Sequence, residues 1–563
     1  MKNPILYLFL CICGHTMAQG QYVPLNTPTY EIIDRLDILY DKWLPISHTA
    51  IKPFHRGYVA SVGERMRRSG MRFNQSQQFY LQYLTDDNSE WCDSIKSVNK
   101  WKLWYFFREQ ASFLHFQNKH FSVKANPVLG FKIGGDFSNP DKSQFSFQNS
   151  RGAEIRFDIK RIVSAYFFVS ENQEIPLNYV NETIKDSSRA FVPGEGYWKP
   201  YKTNGIDYFQ ARGHVNINVM KYFDVTFGHD KNFIGNGIRS MFLSDNAHAS
   251  FFLKLNTRVW RINFQNIWTE YTGDYKRGGD RLLPKKYAAF HHLNFNIWRG
   301  IDIGFFEGII FGRQRTFEFQ YLNPIIFYRS IEQSLGSPDN ALVGVDIKAN
   351  MFQHVQLYGQ FLLDEFNFQE LKKNQQWWGN KYSLQAGIKY IDIIPNLDAQ
   401  VEFNMARPFM YTHNMRGTDS LLSNYTHYNQ PIAHPLGANF MELITQVRYN
   451  LLGRFQVTAR YIYSHYGEDY FIDSLGKNSN IGQDINLISS TRTRTYGNYQ
   501  SQGMRVQQHM LHILASYQPW HNIFFDLEFL FRDKNSQIKT RDMRTYYLGL
   551  NARWNFAYKR IEF

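Results

Sequence analysis

The run Phe251-Phe252-Leu253-Lys254-Leu255-Asn256-Thr257-Arg258-Val259-Trp260-Arg261-Ile262-Asn263-Phe264-Gln265 decides the fold class. Phe251, Leu253 and Leu255 alternate with Phe252, Lys254 and Asn256. After a turn placed near Thr257, Trp260, Ile262 and Phe264 alternate with Arg261, Asn263 and Gln265. Successive side chains of a strand point to opposite faces, so the stretch is a hairpin with one greasy and one mostly polar face. The same period extends in both directions. Val343, Val345, Ile347 and Ala349 oppose Gly344, Asp346 and Lys348. Leu443, Val447 and Tyr449 oppose Glu442, Gln446, Arg448 and Asn450, and Phe525, Leu527, Phe529 and Phe531 oppose Asp526, Glu528 and Arg532.

Eight such hairpins are read from residue 119 onward, with turns near Arg161, Lys221, Thr257, Arg299, Gln353, Pro395, Gly453 and His521. A lone first strand over Phe121 to Ile133 and a lone last strand over Met543 to Tyr558 raise the expected number to eighteen. An even number lets a closed barrel keep both ends on one side. The segments between hairpins, such as 134–150, 172–205 and 467–503, are long and rich in Gly, Asn, Asp and Ser. The fold class expected is therefore all-β: a transmembrane antiparallel β-barrel of about 18 strands over residues 119–563, with short turns in the periplasm and long loops outside the cell. A soluble propeller would repeat a four-strand blade every 40 to 50 residues or so, and no such repeat is present. The last strand carries an apolar face from Tyr546 to Tyr558, and the sequence closes on Phe563. This resembles the terminal signal of outer-membrane barrel insertion, although the odd parity of Phe563 requires a bulge or short turn before it.

Composition agrees with alternation. Aromatic residues make up 17% of the chain while mean hydropathy is −0.45, so the aromatics are interleaved with polar residues and not gathered in runs. Beyond residue 18 no stretch reaches the roughly 18 to 20 apolar residues of a spanning helix, and any crossing must use strands. Residues 1–18 read as a cleaved secretory signal peptide: Lys2, an apolar run from Ile5 to Cys13, and Thr16-Met17-Ala18. Ile12 before Cys13 does not match a lipoprotein site. Cys11 and Cys13 leave with the signal, so Cys92 remains alone and no intrachain disulfide forms. The expected location is the outer membrane of a Gram-negative cell. The formal charge of +14 favours anionic partners there, namely lipopolysaccharide and an acidic surface polysaccharide, beside the outer-membrane lipid itself. Nucleic acid is excluded by compartment and by the lack of any zinc-ligand spacing or RNA-binding signature.

Residues 19–118 change character. Ile32, Leu36, Leu39 and Tyr40 recur at helical spacing within Tyr30 to Lys42, Pro53 opens a second candidate helix through Met66, and a third covers Gln75 to Leu84. The expectation is a small periplasmic helical cap or plug.

Two segments stand out. Gly228-His229-Asp230-Lys231-Asn232-Phe233-Ile234-Gly235-Asn236-Gly237, followed by Arg239-Ser240 and Leu243-Ser244-Asp245, gathers polar side chains among glycines. It is no phosphate-binding loop, because no Gly-Lys-Ser/Thr closes it and no strand-helix-strand context surrounds it. The glycines instead let a strand end curl inward, placing His229, Lys231 and Arg239 near the lumen mouth. The second segment runs from Tyr321-Leu322-Asn323-Pro324 through Phe327-Tyr328-Arg329-Ser330 to Gly336-Ser337-Pro338-Asp339-Asn340. It is too apolar for a free outer loop, so it folds back on the barrel with a short helix after Pro324. Together with His291-His292-Leu293-Asn294-Phe295 and Phe305-Phe306-Glu307, these stretches resemble the Wzi-like capsule-assembly family of outer-membrane proteins and its gliding-motility-associated relatives, over roughly Val225 to Asn350. The resemblance implies an eighteen-stranded barrel with a helical N-terminal element, associated with surface polysaccharide.

The function expected is a non-enzymatic barrel, without cofactor or metal, that binds or helps assemble capsular or exopolysaccharide. Lys231, Arg239 and Arg329 would supply charge-assisted hydrogen bonds, His229, Asn232 and Asn340 neutral ones, and Tyr321, Tyr328 and Trp377 the faces on which sugar rings pack. The alternative is a structural subunit of an adhesion, motility or secretion machine that touches other envelope proteins; an outer-membrane hydrolase ranks below both. Asp526 and Glu528 share a polar face, but a charged barrel interior gives the same pattern as an acid/base pair. His509 and His512, like His291 and His292, fall on opposite faces and cannot jointly hold a metal.

Overall fold

The computed structural model describes residues 20–40, 44–45, 48–92, 109, 111–138, 143–185, 191–220, 222–273, 282–313, 316–336, 339–413, 422–471 and 478–563. The signal-peptide reading and the turn residue Lys221 lie outside the described residues. Eighteen antiparallel strands close into a barrel. They are β1 Phe121–Asp136, β2 Gln144–Ile159, β3 Val163–Ile175, β4 Gly205–Asn218, β5 Phe223–Asp230, β6 Ser250–Val259, β7 Ile262–Thr272, β8 Lys285–Trp298 and β9 Ile301–Phe311. The second half comprises β10 Asn340–Met351, β11 Val355–Leu363, β12 Tyr382–Ile394, β13 Leu397–Ala406, β14 Phe440–Leu451, β15 Phe455–Glu468, β16 Met504–Trp520, β17 Ile523–Ser536 and β18 Met543–Trp554. Each pairs with its sequence neighbour, and β18 returns to β1 from Tyr547 opposite Asp136 to Trp554 opposite Leu129.

Alternation located these strands because it reports burial on one side. Phe131, Phe167, Phe251, Phe305, Leu527 and Leu548 project outward and stay exposed, while Asp224, Lys254, Asp346, Lys348, Gln360 and Glu402 project inward and are buried. A continuous apolar outer surface of this extent has no place in water and marks a lipid-facing wall. One turn was misplaced. The β6–β7 strands run through Thr257, and the chain reverses at Trp260-Arg261, where Trp260 takes φ 54°. Thr257 is an outward polar residue that interrupts the apolar series, and Trp260 belongs to the turn and not to the belt.

The interior departs from a simple polar lining. Inward-facing Phe252, Phe290, Phe306, Leu342, Leu362 and Phe440 form an apolar core near the long-loop end with Met410, Tyr411, Tyr425 and Ile432, which are carried into the lumen by folded-in loops. Toward the short-turn end lie three helices: α1 Pro28–Tyr40, α2 Arg56–Arg68 and α3 Gln75–Asp87. Pro53 does not open α2; Ile51 and Lys52 pair with Ile234 and Phe233, so the chain stays extended until His55. Ile33, Leu36, Val59, Val62, Met66, Leu81 and Leu84 pack the helices together. The other side of α1 is charged and meets the wall: Arg35 bonds Asp392 and Asp398, Asp34 pairs with Lys389 at 2.8 Å, and Glu31 with Arg448 at 2.9 Å. Lys348 sits 3.0 Å from Asp37 and 2.8 Å from Asp302. Tyr83 donates to Asn522 in the β16–β17 turn at 2.7 Å, which fixes the helices at the short-turn end.

The last strand ends earlier than alternation suggested. Asn555 adopts φ 52°, and residues 555–563 turn into the lumen. There Tyr558 hydrogen-bonds His512 at 3.1 Å, Glu562 pairs with Arg460, and the Phe563 ring lies 5.7 Å from that of Tyr179. Phe563 is thus an interior residue and not part of the outer apolar face.

The segment after β9 folds down the outside of the wall. It contains a 3₁₀ turn at Phe319–Leu322 and helix α4 Tyr328–Ser334, as the apolar sequence around Pro324 led one to expect. Arg313 grips both oxygens of Asp339 at 2.7 and 2.8 Å, Tyr321 donates to Asp339 at 2.7 Å, and Trp268 of β7 donates to the Tyr321 carbonyl at 2.8 Å.

Candidate functional site

The glycine-dense segment after β5 crosses the lumen, and three wall residues hold it there. Glu402 of β13 accepts the successive backbone N–H groups of Ile238 and Arg239 at 2.6 and 3.0 Å. Gln360 of β11 accepts from Met241 N–H at 2.7 Å and donates to the Ile234 carbonyl at 3.0 Å, and Gln385 of β12 donates to the Arg239 carbonyl at 2.8 Å. This approach requires glycine at two places. A Cβ at Gly237 would stand 2.5 Å from the Glu402 carboxylate, and Gly235, at φ 152°, would place one 2.8 Å from the Gln360 amide. The motif is therefore a loop-to-wall clamp.

A cavity of about 350 Å³ lies between this loop, α1, residues 558–563 and the walls of β12 to β18. Ten Lys or Arg and six Asp or Glu line it, but most of its charge is already matched internally. Arg239 donates to Glu442 at 3.2 and 3.3 Å and to the Glu562 carbonyl at 2.8 Å. Lys231 donates to the carbonyls of Gly194 and Asp245 at 3.0 and 3.1 Å. Burial pushes the Lys231 ammonium down from its ordinary value, against the opposing pull of Glu195 and Asp245. Both cations brace the interior.

The remaining sequence candidates scatter. Asn232 accepts from Lys254 at 2.8 Å inside the lumen. His229 points outward, its ring 5.0 Å from that of Phe251, and so does not reach the lumen mouth. Tyr321 and Tyr328 are fully buried beneath the segment that carries them and offer no face to a sugar. Arg329 is half exposed and pairs with Glu332 at 2.9 Å. Asn340 is buried and donates to the Ser423 carbonyl at 3.0 Å. Asp526 pairs with Arg553 at 2.7 Å, and Glu528 with Lys132 at 2.8 Å, so each of these carboxylates serves an ion pair.

Only Trp377 among the candidate aromatics reaches the long-loop surface, and two residues not singled out from the sequence join it. Segments 375–378 and 495–498 are zipped by backbone hydrogen bonds from Trp378 to Thr495, Gly497 to Gln375 and Asn498 to Gln376, at 2.9 to 3.0 Å. Tyr496 and Tyr499 are 42% and 51% exposed, and Trp377 is half-buried. Lys372, Lys373 and Arg494, which flank these two segments, are exposed. The aromatic and basic content of both segments was visible in the sequence; their pairing, which depends on contact across some 120 residues of chain, was not.

Neither a family model nor a curated protein matches the chain. Among solved structures it is similar to Wzi of Escherichia coli, described as an outer-membrane protein involved in group 1 capsule assembly and a carbohydrate-binding β-barrel. The TM-score is 0.55 at 11% identity, over 96% of this chain and 100% of that one. OprD of Pseudomonas aeruginosa gives a TM-score of 0.39 at 10% identity, over 76% of this chain and 94% of that one. A BenF-like porin of Pseudomonas fluorescens gives 0.43 at 7% identity, over 77% and 98%.

Proposed function

We propose that the protein is a Gram-negative outer-membrane barrel that binds surface polysaccharide on its outer loops and contributes to its retention or assembly, with no catalytic step of its own. The observation that carries this reading is the paired-loop surface bearing Trp377, Tyr496 and Tyr499 beside Lys372, Lys373 and Arg494. Aromatic rings offer large rigid apolar faces with polar tips, suited to the apolar faces of sugar rings. Neighbouring cations suit the carboxylates of an acidic glycan. The likeness in fold to a carbohydrate-binding barrel points the same way. On this reading α1 to α3 and residues 555–563 are interior packing, and the helical part of residues 19–118 is a periplasmic plug, while Leu114–Gln117 joins the sheet edge beside β1.

The test is retention of a purified acidic polysaccharide by the reconstituted barrel. Replacing Trp377, Tyr496 and Tyr499 together by Ala should weaken retention at least tenfold with only a small drop in melting temperature, since Tyr496 and Tyr499 are exposed and Trp377 is half-buried. The electrostatic part should fade as the Debye length falls from about 10 Å at 0.1 M salt to about 3 Å at 1 M. Lys231→Ala with Arg239→Ala should do the reverse, lowering the melting temperature and leaving retention intact. Undiminished retention by the aromatic triple variant would refute the assignment.

A further inference from the structure

The segment folded over the outer wall covers a part of that wall that lipid cannot accept. In register, Trp268 lies opposite outward-facing Leu253, Asn266 opposite His291, and Glu307 opposite both His291 and outward-facing Val343. Asn266, His291 and Glu307 therefore point away from the lumen, in the midst of a surface otherwise made of Phe264, Leu293, Phe305 and Val345. Yet all three are buried. What buries them is the returning segment: Tyr328 stacks on His291 at 3.9 Å between ring centroids, and the Arg329 N–H donates to Glu307 at 3.1 Å. Glu307 stands four residues below the end of β9, so the segment descends about 10 Å along a wall of tilted strands.

The face that this segment turns away from the barrel is apolar. Phe319, Ile325 and Phe327 are 76%, 82% and 76% exposed, and Leu322 and Ile326 are also exposed. We infer that this strap, residues 317–327 with α4 behind it, is a lipid-contact surface: its outer side chains lie among the acyl chains of the outer leaflet and complete the apolar belt across a polar gap in the barrel wall. Three observations carry this. The strap sits on the outward face, where the belt runs; the belt continues below it through Phe305 and beside it through Leu253 and Val343; and the polar contacts that tie the strap down, to Asp339, Glu307 and the Trp268 indole, point toward the barrel. An apolar patch of this kind standing in water would be an aggregation site, whereas within the belt it meets the same solvent as its neighbours.

The inference rests on the belt being lipid-facing, and the experiment separates the two. In a chain with Cys11, Cys13 and Cys92 each replaced by Ser, single cysteines are introduced by Ile325→Cys or Phe327→Cys on the strap, Leu253→Cys on the belt and Lys373→Cys on an outer loop. They are spin-labelled and reconstituted in phosphatidylcholine/phosphatidylglycerol vesicles. Collision with oxygen, which partitions into acyl chains, is compared with collision with an aqueous nickel chelate. Oxygen should dominate at the strap and the belt, and the chelate at Lys373. Chelate dominance at the strap with oxygen dominance at Leu253 overturns the strap inference alone. Low collision with both reagents at the strap, the sign of a protein covering, overturns it too. Chelate dominance at Leu253 defeats the membrane reading itself. Two strap positions are tested so that one misfolded variant does not decide the result.

Discussion

Replacing Lys348 by Met should detach the helical plug from the wall. The ammonium lies 2.8 Å from Asp302 of β9, 3.0 Å from Asp37 of α1 and 3.1 Å from the Thr49 hydroxyl, and all four residues are buried. Methionine matches the lysine stem but leaves two carboxylates facing each other with no cation between them. Removing one partner of a buried ionic cluster typically costs about 3–5 kcal/mol, mostly from the stranded charge. If that cost falls on the docked state of α1, the detached population rises by roughly two to nearly four orders of magnitude, at tenfold for each ~1.4 kcal/mol. Hydrogen exchange read by mass spectrometry on α1 peptides reports this directly, because exchange through local opening tracks the opening free energy. Protection of α1 should fall by that factor while the β16–β17 hairpin keeps its own. Adding Asp37→Asn and Asp302→Asn should restore most of the loss, since the penalty belongs to the unpaired charges. Unchanged α1 protection in Lys348→Met, or no recovery in the triple variant, would refute the argument.

On the outer wall, Leu527→Arg should hinder insertion, at about 2–4 kcal/mol if Leu527 lies near the bilayer midplane and less toward either interface. Glu528→Gln, on the inward side, should insert but melt at lower temperature by the equivalent of about 1.5–3 kcal/mol, because Lys132 loses its partner and the bond from His512 weakens; equal behaviour of the two variants in membrane-fraction and melting assays would reverse the assignment of faces. The plug should loosen in acid: burial alone would raise the Glu90 carboxyl, but Lys124 and Arg156 outweigh it and hold it at about 2. A folded-state value below the unfolded one of about 4.3 means stability present above pH ~4.3 and lost as pH falls toward 2, so plug melting followed by near-ultraviolet dichroism should drop in that window, and a flat profile there would count against the Glu90 cluster. Cys92 should resist maleimide from either side of the membrane until the plug unfolds, because burial, followed by Glu64 and Glu90, pushes its thiol up to about 12; rapid labelling of the folded protein at neutral pH would contradict this.

The barrel was readable in the sequence because its main signal is local. A strand that is wet on one side and greasy on the other alternates whatever its neighbours do, so strands and most turns could be placed from Phe251, Val343, Leu443 or Phe525 outward. The errors fall where a second partner overrides the period. Phe252, Phe290 and Phe306 face inward yet are apolar, since folded-in loops and not water fill that part of the lumen. Asn266, His291 and Glu307 face outward yet are polar, since the strap covers them. Residues 555–563 continue the aromatic spacing of β18, but a positive φ at Asn555 sends them inside. The candidate site suffered from the same limit. Charge and glycine content marked the 228–245 segment as unusual and its inward path was foreseen, but the carboxylates and amide that engage Arg239 come from strands more than a hundred residues away, Lys231 is taken up by the carbonyls of Gly194 and Asp245, and with them the segment changes from a binding site to a brace.

The seam between β18 and β1 bears on how the molecule is put together. The last strand covers only the upper half of β1, and the remaining edge is taken by Leu114–Gln117. On either side of that joint, α1 to α3 before it and residues 555–563 after it lie within the ring. A ring closed first would have to admit both through ends that the loops and helices obstruct. The geometry favours an order in which the open sheet wraps around a docked filling and the joint zips last, so a variant that slows docking of α1 should delay sealing of the barrel even though α1 forms no part of the joint.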